Sequence, residues 1–334
     1  MKFLMLFVWT LTLFLATHAT AGEGDFPEIN DLELLKRLEK AGEELLKAGT
    51  AKGSKDLDAG LKKTEAKFKT PAALKEAIDD RELYKRACES VFVVCGLYRP
   101  EDAKEDEWEG AFASAFVVAE DGVLTTSRHF FADPQPCDVF LAVNAKGDIF
   151  PVEEILASQE KMDTCLFRIK AEGLKPLPLG SAPVPASRVR VVSHPGYFFY
   201  FFSAGQVGNY FKDDDKLRWM NITADFGQGS SGAPVFDDCG NVVGQVTSTL
   251  TLYAAGGELV EPLVSRRHFS RKPAAEKKKP ADPGAKQPDP KKKEKKKKKP
   301  DPKPKPPEEE ISDPQMVFKT CTPIEALRGL IQAP

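Results

Sequence analysis

The chain has 334 residues, of which 41% are hydrophobic and 29% charged, with a formal net charge of −2. That length holds one two-barrel or two-layer domain with accessories, or two ordinary domains, and no stretch beyond the N-terminus is apolar for long enough to cross a bilayer as a helix. The small total hides two opposed regions. Residues 266–310 carry 18 Lys and Arg against 8 Asp and Glu, a net of +10, so the rest of the chain is acidic.

Residues 1–21 read as a secretory signal peptide. Lys2 supplies the positive start, Phe3 to Ala16 the apolar run, and Ala19-Thr20-Ala21 the small residues of a cleavage point. A mature chain beginning near Gly22 is expected, in a secreted or periplasmic location; a retained N-terminal anchor is the alternative. Cys88, Cys95, Cys137, Cys165, Cys239 and Cys321 then all lie in the mature chain. An exported protein permits disulfides, and six cysteines allow 15 pairings among which the spacing does not choose. No CxxC pair or neighbouring histidine suggests a metal site, so no metal and no organic cofactor is expected.

Residues 22–88 read as a helical region. Asn30 with Glu33 resembles a capping box, and Leu34, Leu35, Leu38, Ala41, Leu45 and Leu46 keep helical spacing up to Gly49. Thr70-Pro71 predicts the start of a second helix, a cap followed by proline at the first helical position. A prosegment, a spacer and an oligomerisation hairpin all fit such a region. From residue 89 to 264 the pattern changes to short β-rich runs between turn residues. These include Val91–Leu97, Ala115–Val118, Gly122–Thr126, Val139–Val143, Thr164–Ile169, Val189–Val192, Gly205–Tyr210, Trp219–Thr223, Ala233–Phe236 and Val242–Thr249. Such runs predict an all-β sandwich or barrel, with the proline-rich stretch Pro176–Pro185 as a joint between two halves.

Residues 265–314 are low-complexity Lys and Pro, a composition that cannot bury enough apolar surface to offset its ordering entropy. Order is expected to return in residues 315–334, with a strand over Gln315–Cys321 and a short amphipathic helix after Pro323. The basic segment is then internal. It is either a solvated loop or an electrostatic attachment to an anionic surface or polymer. With Phe269 its single Phe, Tyr or Trp, it offers little for base stacking, and specific nucleic-acid recognition is not expected.

Three positions carry candidate chemistry. Gly229-Ser230-Ser231-Gly232-Ala233-Pro234 sets glycines on both sides of Ser231, which permits the sharp turn a nucleophilic serine needs. His129 follows the apolar run Gly122–Ser127 and Arg128, whereas His194 lies in a turn-like Ser-His-Pro-Gly stretch and His268 beside the Lys/Pro segment. Asp163 opens the apolar run Thr164–Ile169, where a carboxylate caps or turns the chain, or orients an imidazole.

Together these blocks resemble the trypsin-like serine peptidases, especially their bacterial HtrA (Deg) branch, over roughly residues 90–264 and 315–331. Glu120–His129 is similar to the strand and Thr-x-x-His turn that present the base. Asp163–Ile169 resembles the acid's strand, and Gly229–Pro234 the Gly-x-Ser-Gly-x-Pro nucleophile loop. The resemblance implies two six-stranded antiparallel β-barrels of the chymotrypsin-like type, preceded by the helical region. It further implies a His129–Asp163–Ser231 triad and an oxyanion hole from the N–H groups of Gly229 and Ser231. The implied activity is a serine endopeptidase acting on polypeptide through an acyl-enzyme.

Asp225, six residues before Ser231, falls where trypsin-like relatives place the base of the primary specificity pocket and would there favour Lys or Arg before the cut bond; HtrA-like loops are shaped differently, and hydrogen bonding within its own loop is the alternative. Three departures stand out. Ser230 replaces the aspartate that receives a new N-terminus in digestive enzymes, Arg128 precedes the base, and no PDZ-like region follows. A catalytically inactive barrel pair that binds a partner is the competing reading. A surface-attachment protein working through its basic segment is a third.

Overall fold

The computed structural model describes residues 30–99, 108–133, 135–255, 258–259 and 314–334. The expected signal peptide and nearly all of the Lys/Pro segment therefore lie outside the described residues. The described chain begins with helix α1 (Asp31–Lys47), whose N-terminus is capped by Asn30 Oδ1 accepting the Glu33 N–H at 3.1 Å. One turn, α2 (Ser54–Leu57), and a two-residue strand β1 (Ala66–Lys67) follow.

The second long helix starts later than Thr70-Pro71 predicts. Residues 70–79 are non-helical, and α3 spans Asp80–Ser90, with Asp79 Oδ1 accepting the Glu82 N–H at 2.8 Å. A Thr-Pro pair permits a helix start but does not compel one. Here Asn241 holds the backbone of Leu74 from across the fold, donating to its carbonyl at 3.1 Å and accepting its N–H at 2.6 Å. Helix α3 instead takes its start from Asp79, Asp80 and Glu82, acids suited to the positive helix N-terminus.

Two barrels follow. The first is closed in the order β2 (Val91–Tyr98), β3 (Glu109–Ala119), β4 (Val123–Thr126), β7 (Thr164–Ile169), β6 (Ile149–Gln159), β5 (Val139–Val143). The one-turn helix α4 (Arg128–Phe131) lies between β4 and β5. Phe131, Phe140 and Phe167 pack edge to face inside, with ring centroids 5.0–5.3 Å apart. Strand β6 was not legible as a strand. Pro151 and the pair Glu153-Glu154 interrupt its alternation, and register shifts at Val152/Glu154 and Ile155/Ala157 absorb the irregularity.

The second barrel is built from β8 (Arg188–Ser193), β9 (Phe201–Lys212), β10 (Arg218–Ile222), β11 (Pro234–Phe236), β12 (Val242–Ala255) and β14 (Pro314–Pro323). Its pairing runs β11-β8-β9-β10-β14-β12, and the pairing of β11 with β12 closes the ring. A short β13 (Glu258–Leu259) extends β12. Strands β12 and β14 pair antiparallel, and the undescribed Lys/Pro segment lies between them in the sequence. Helix α5 (Ile324–Arg328) and β15 (Ile331–Gln332) end the chain, β15 pairing in parallel with β1.

The N-terminal region spans both barrels. Leu34 and Leu38 of α1 pack on Val93, Cys95 and Leu141 of the first. At the second, the buried Arg190 guanidinium donates to Asp80 Oδ1 (2.9 Å), Asp238 Oδ1 (2.7 Å), the Asp237 carbonyl (2.8 Å) and the Ile78 carbonyl (3.2 Å). A third cluster, including Leu83, Phe116, Leu166, Val192, Phe236 and Leu327, fills the space between the barrels. All six cysteines are free thiols, and all but Cys239 are buried.

Candidate active site

The candidate residues meet where the barrels meet. Strand β4 ends at Thr126, Ser127 precedes α4, and His129 is the second residue of that turn. Asp163 sits immediately before β7, the neighbour of β4, so the β4–β7 pairing brings acid and base together. Asp163 has φ +51°, a left-handed conformation that aspartate tolerates better than most residues. Its two oxygens grip one residue: Oδ1 accepts the His129 backbone N–H at 2.8 Å, and Oδ2 lies 2.7 Å from His129 Nδ1.

With the Asp163 side chain buried, that contact places the ring proton on Nδ1 and leaves Nε2 as the basic nitrogen. Burial lowers the His129 pKa. The Asp163 hydrogen bond, the Asp163 charge and the Asp133 charge outweigh it, so the imidazole is more basic than its ordinary 6.5. Arg128 turns away from this centre, its guanidinium 3.8 Å from Glu160.

The loop before β11 carries Ser231. Two of its glycines are required by geometry. Gly229 has φ +94°, and a Cβ there would stand 2.4 Å from the His194 carbonyl. Gly232 has φ +88°, and a Cβ there would stand 2.2 Å from the Ser114 carbonyl. Ser230 is fully buried; its hydroxyl donates to Ser193 Oγ at 3.0 Å and accepts the Gly227 N–H at 3.3 Å. The departure at Ser230 thus has a structural use, tying the loop to β8. Ser231 Oγ lies 3.4 Å from the Thr247 carbonyl. Among the described residues, the N–H groups of Gly229 and Ser231 donate to no other group.

Sequence reasoning missed Ser114. From β3 of the first barrel it donates its N–H to the Ser231 carbonyl (2.9 Å) and its hydroxyl to the Gly229 carbonyl (3.0 Å). It clamps the loop on both sides of Ser230, and a serine inside a β-run gives no local sign of that long-range role. His194 lines the same cleft but is no second base. Its Nδ1 accepts the Tyr200 N–H at 3.0 Å, and burial drives its pKa down to about 3 against a weaker pull from the Phe92 backbone.

His129, Gly229 and Ser231 line one cleft of about 340 Å³ between the barrels. Asp225 is not brought to it. Its side chain is 84% exposed, 3.8 Å from Lys319 Nζ, and Ser203 Oγ donates to its carbonyl at 2.6 Å. Asp225 is therefore a surface acid beside a lysine, outside the residues that line this cleft. The next residue, Phe226, takes the buried position instead.

Residues 113–244 match the trypsin-like peptidase domain family. That stretch contains His129, Asp163 and Ser231. Among solved structures, the chain is similar to the serine endoprotease from Yersinia pestis, with 17% identity and a TM-score of 0.43, over 53% of this chain and 60% of that one. It is also similar to the HtrA-type protease AlgW with decapeptide, with 15% identity and a TM-score of 0.44, over 55% of this chain and 62% of that one. The matched region thus spans about three-fifths of those chains. No curated protein matches this chain.

Proposed function

We propose that this protein is an exported serine endopeptidase in which Ser231 is the nucleophile, His129 the general base and Asp163 its orienting acid. The observation that carries the reading is the double grip of Asp163 on His129, at 2.8 Å on the backbone N–H and 2.7 Å on Nδ1. It supports one tautomer and orientation of the ring, in the cleft that Ser231 also lines.

In this mechanism Ser231 Oγ attacks the scissile carbonyl as its proton passes to His129 Nε2. The oxyanion is received by the unengaged N–H groups of Gly229 and Ser231. The imidazolium, stabilised by Asp163, then protonates the leaving amine, and water hydrolyses the acyl-enzyme with His129 again as base. Asp225 has no part in this scheme, since Lys319 offsets its charge at the surface. Export rests on the apolar N-terminal run and its small-residue cleavage point, and adhesion of residues 266–310 to an anionic polymer on their charge alone.

The test is covalent labelling of the purified mature protein with a fluorophosphonate, beside Ser231→Ala. Labelling that disappears in the variant is the expected result. Absence of labelling in both proteins would replace this reading with that of an inactive barrel pair.

A further inference from the structure

The cleft does not end at His129. Its lining also includes first-barrel residues beside His129, namely Ala111, Phe112 and Ala113 of β3, Phe130 of α4, Asp133 and Cys137. Tyr98 stands at its edge, its hydroxyl donating to Glu109 at 2.6 Å. In this largely apolar stretch Asp133 is the one carboxylate, and no Lys or Arg lines the cleft among the described residues. Asp133 Oδ1 accepts the Gln135 N–H at 2.8 Å, which pins the side chain in its turn.

Catalytic chemistry assigns a direction to this space. The amine released on acylation is protonated by His129, so the substrate residues that follow the cut bond lie on the imidazole's side. The acyl carbonyl lies on the side of Gly229 and Ser231. The stretch holding Asp133 is therefore the leaving-group half of the cleft.

We propose that Asp133, with the partly buried Phe112 of β3, forms a subsite that selects Lys or Arg immediately after the scissile bond. This rests on the peptidase reading above. A lysine or arginine fits both parts, since its methylene stem covers apolar surface while its charged head reaches the carboxylate. Glutamate or aspartate at the same place meets a like charge, and a leucine gains nothing from the carboxylate. The Asp133 charge acts across this space, since after burial it is the largest contributor raising the Cys137 thiol pKa, and it helps raise that of His129.

The test uses the full mature chain and a peptide library randomised at the two positions after the cut bond, with new N-termini read by mass spectrometry. Wild type is expected to favour Lys and Arg over Glu and Asp at the first of these positions by about fivefold or more, the scale of a partly exposed ion pair. Asp133→Asn keeps the acceptor for the Gln135 N–H and should remove most of that ratio, while Asp133→Lys should invert it. Preferences before the cut bond are the internal control and should not follow the charge. Cleavage with the same ratio in all three proteins would overturn the subsite and leave the peptidase standing. Loss of both cleavage and Ser231 labelling in the wild type would overturn both.

Discussion

Replacing Asp80 by alanine probes whether the N-terminal region belongs to the barrel unit. Asp80 is one of two carboxylates that hold the Arg190 guanidinium, whose side chain is only 1% exposed. With Asp80 gone, Arg190 Nε loses its 2.9 Å acceptor while the buried charge keeps only Asp238. A hydrogen bond to a charged group contributes about 1.5–3 kcal/mol, and stripping a fully buried pair of one partner costs about 3–5 kcal/mol. Asp80 is itself 37% exposed and Asp238 still offsets the charge, so the lower range applies, with an expected loss of about 2 kcal/mol. Arg188 also loses its ion pair with Asp80, but it is half-exposed and adds less than about 1 kcal/mol. Urea unfolding followed by tryptophan fluorescence, in a Ser231→Ala background to prevent self-cleavage, should show a lower midpoint with an unchanged slope. Asp79→Ala, which removes only the helix cap, should cost about 1 kcal/mol. A loss below about 0.5 kcal/mol for Asp80→Ala, smaller than that of the cap, would refute the claim that Arg190 anchors residues 78–80.

Three further outcomes bear on the site. Because His129 must be neutral to accept the Ser231 proton and its pKa is raised, kcat/KM should climb with pH through a value above 6.5. Asp163→Asn should lower kcat by about three to four orders of magnitude, the effect of the wrong tautomer in the trypsin-type triad; a loss under about tenfold would show that Asp163 does not orient the base. Ser114→Ala removes the hydroxyl bond to the Gly229 carbonyl but keeps the backbone bond to Ser231. The rate of fluorophosphonate labelling should fall about threefold to tenfold, the worth of one neutral hydrogen bond, and an unchanged rate would remove Ser114 from the support of the loop.

The sequence determined a good deal unaided, because some signals are local. Thr164–Ile169 and Val139–Val143 read as strands at their observed limits, since each is a compact apolar run between turn residues. The ordered return after the Lys/Pro segment was legible for the same reason, although its role as the partner of β12 depended on resemblance. Ser231 stood out by the glycines around it, whereas its grouping with His129 and Asp163 came from the resemblance to the trypsin-like peptidases. The tertiary structure decided what depends on residues far apart in the chain. It turned the Thr70-Pro71 start into an extended segment because Asn241 binds the Leu74 backbone. It placed Asp225 at the surface because Phe226 takes the interior position. It also gave Ser114 and Arg190 their roles, which no local pattern could show, since each acts on groups brought near only when the barrels close. Propensity and capping act over a few residues, whereas a buried charge or a clamped loop is defined by its partners, and those partners exist only in the folded chain.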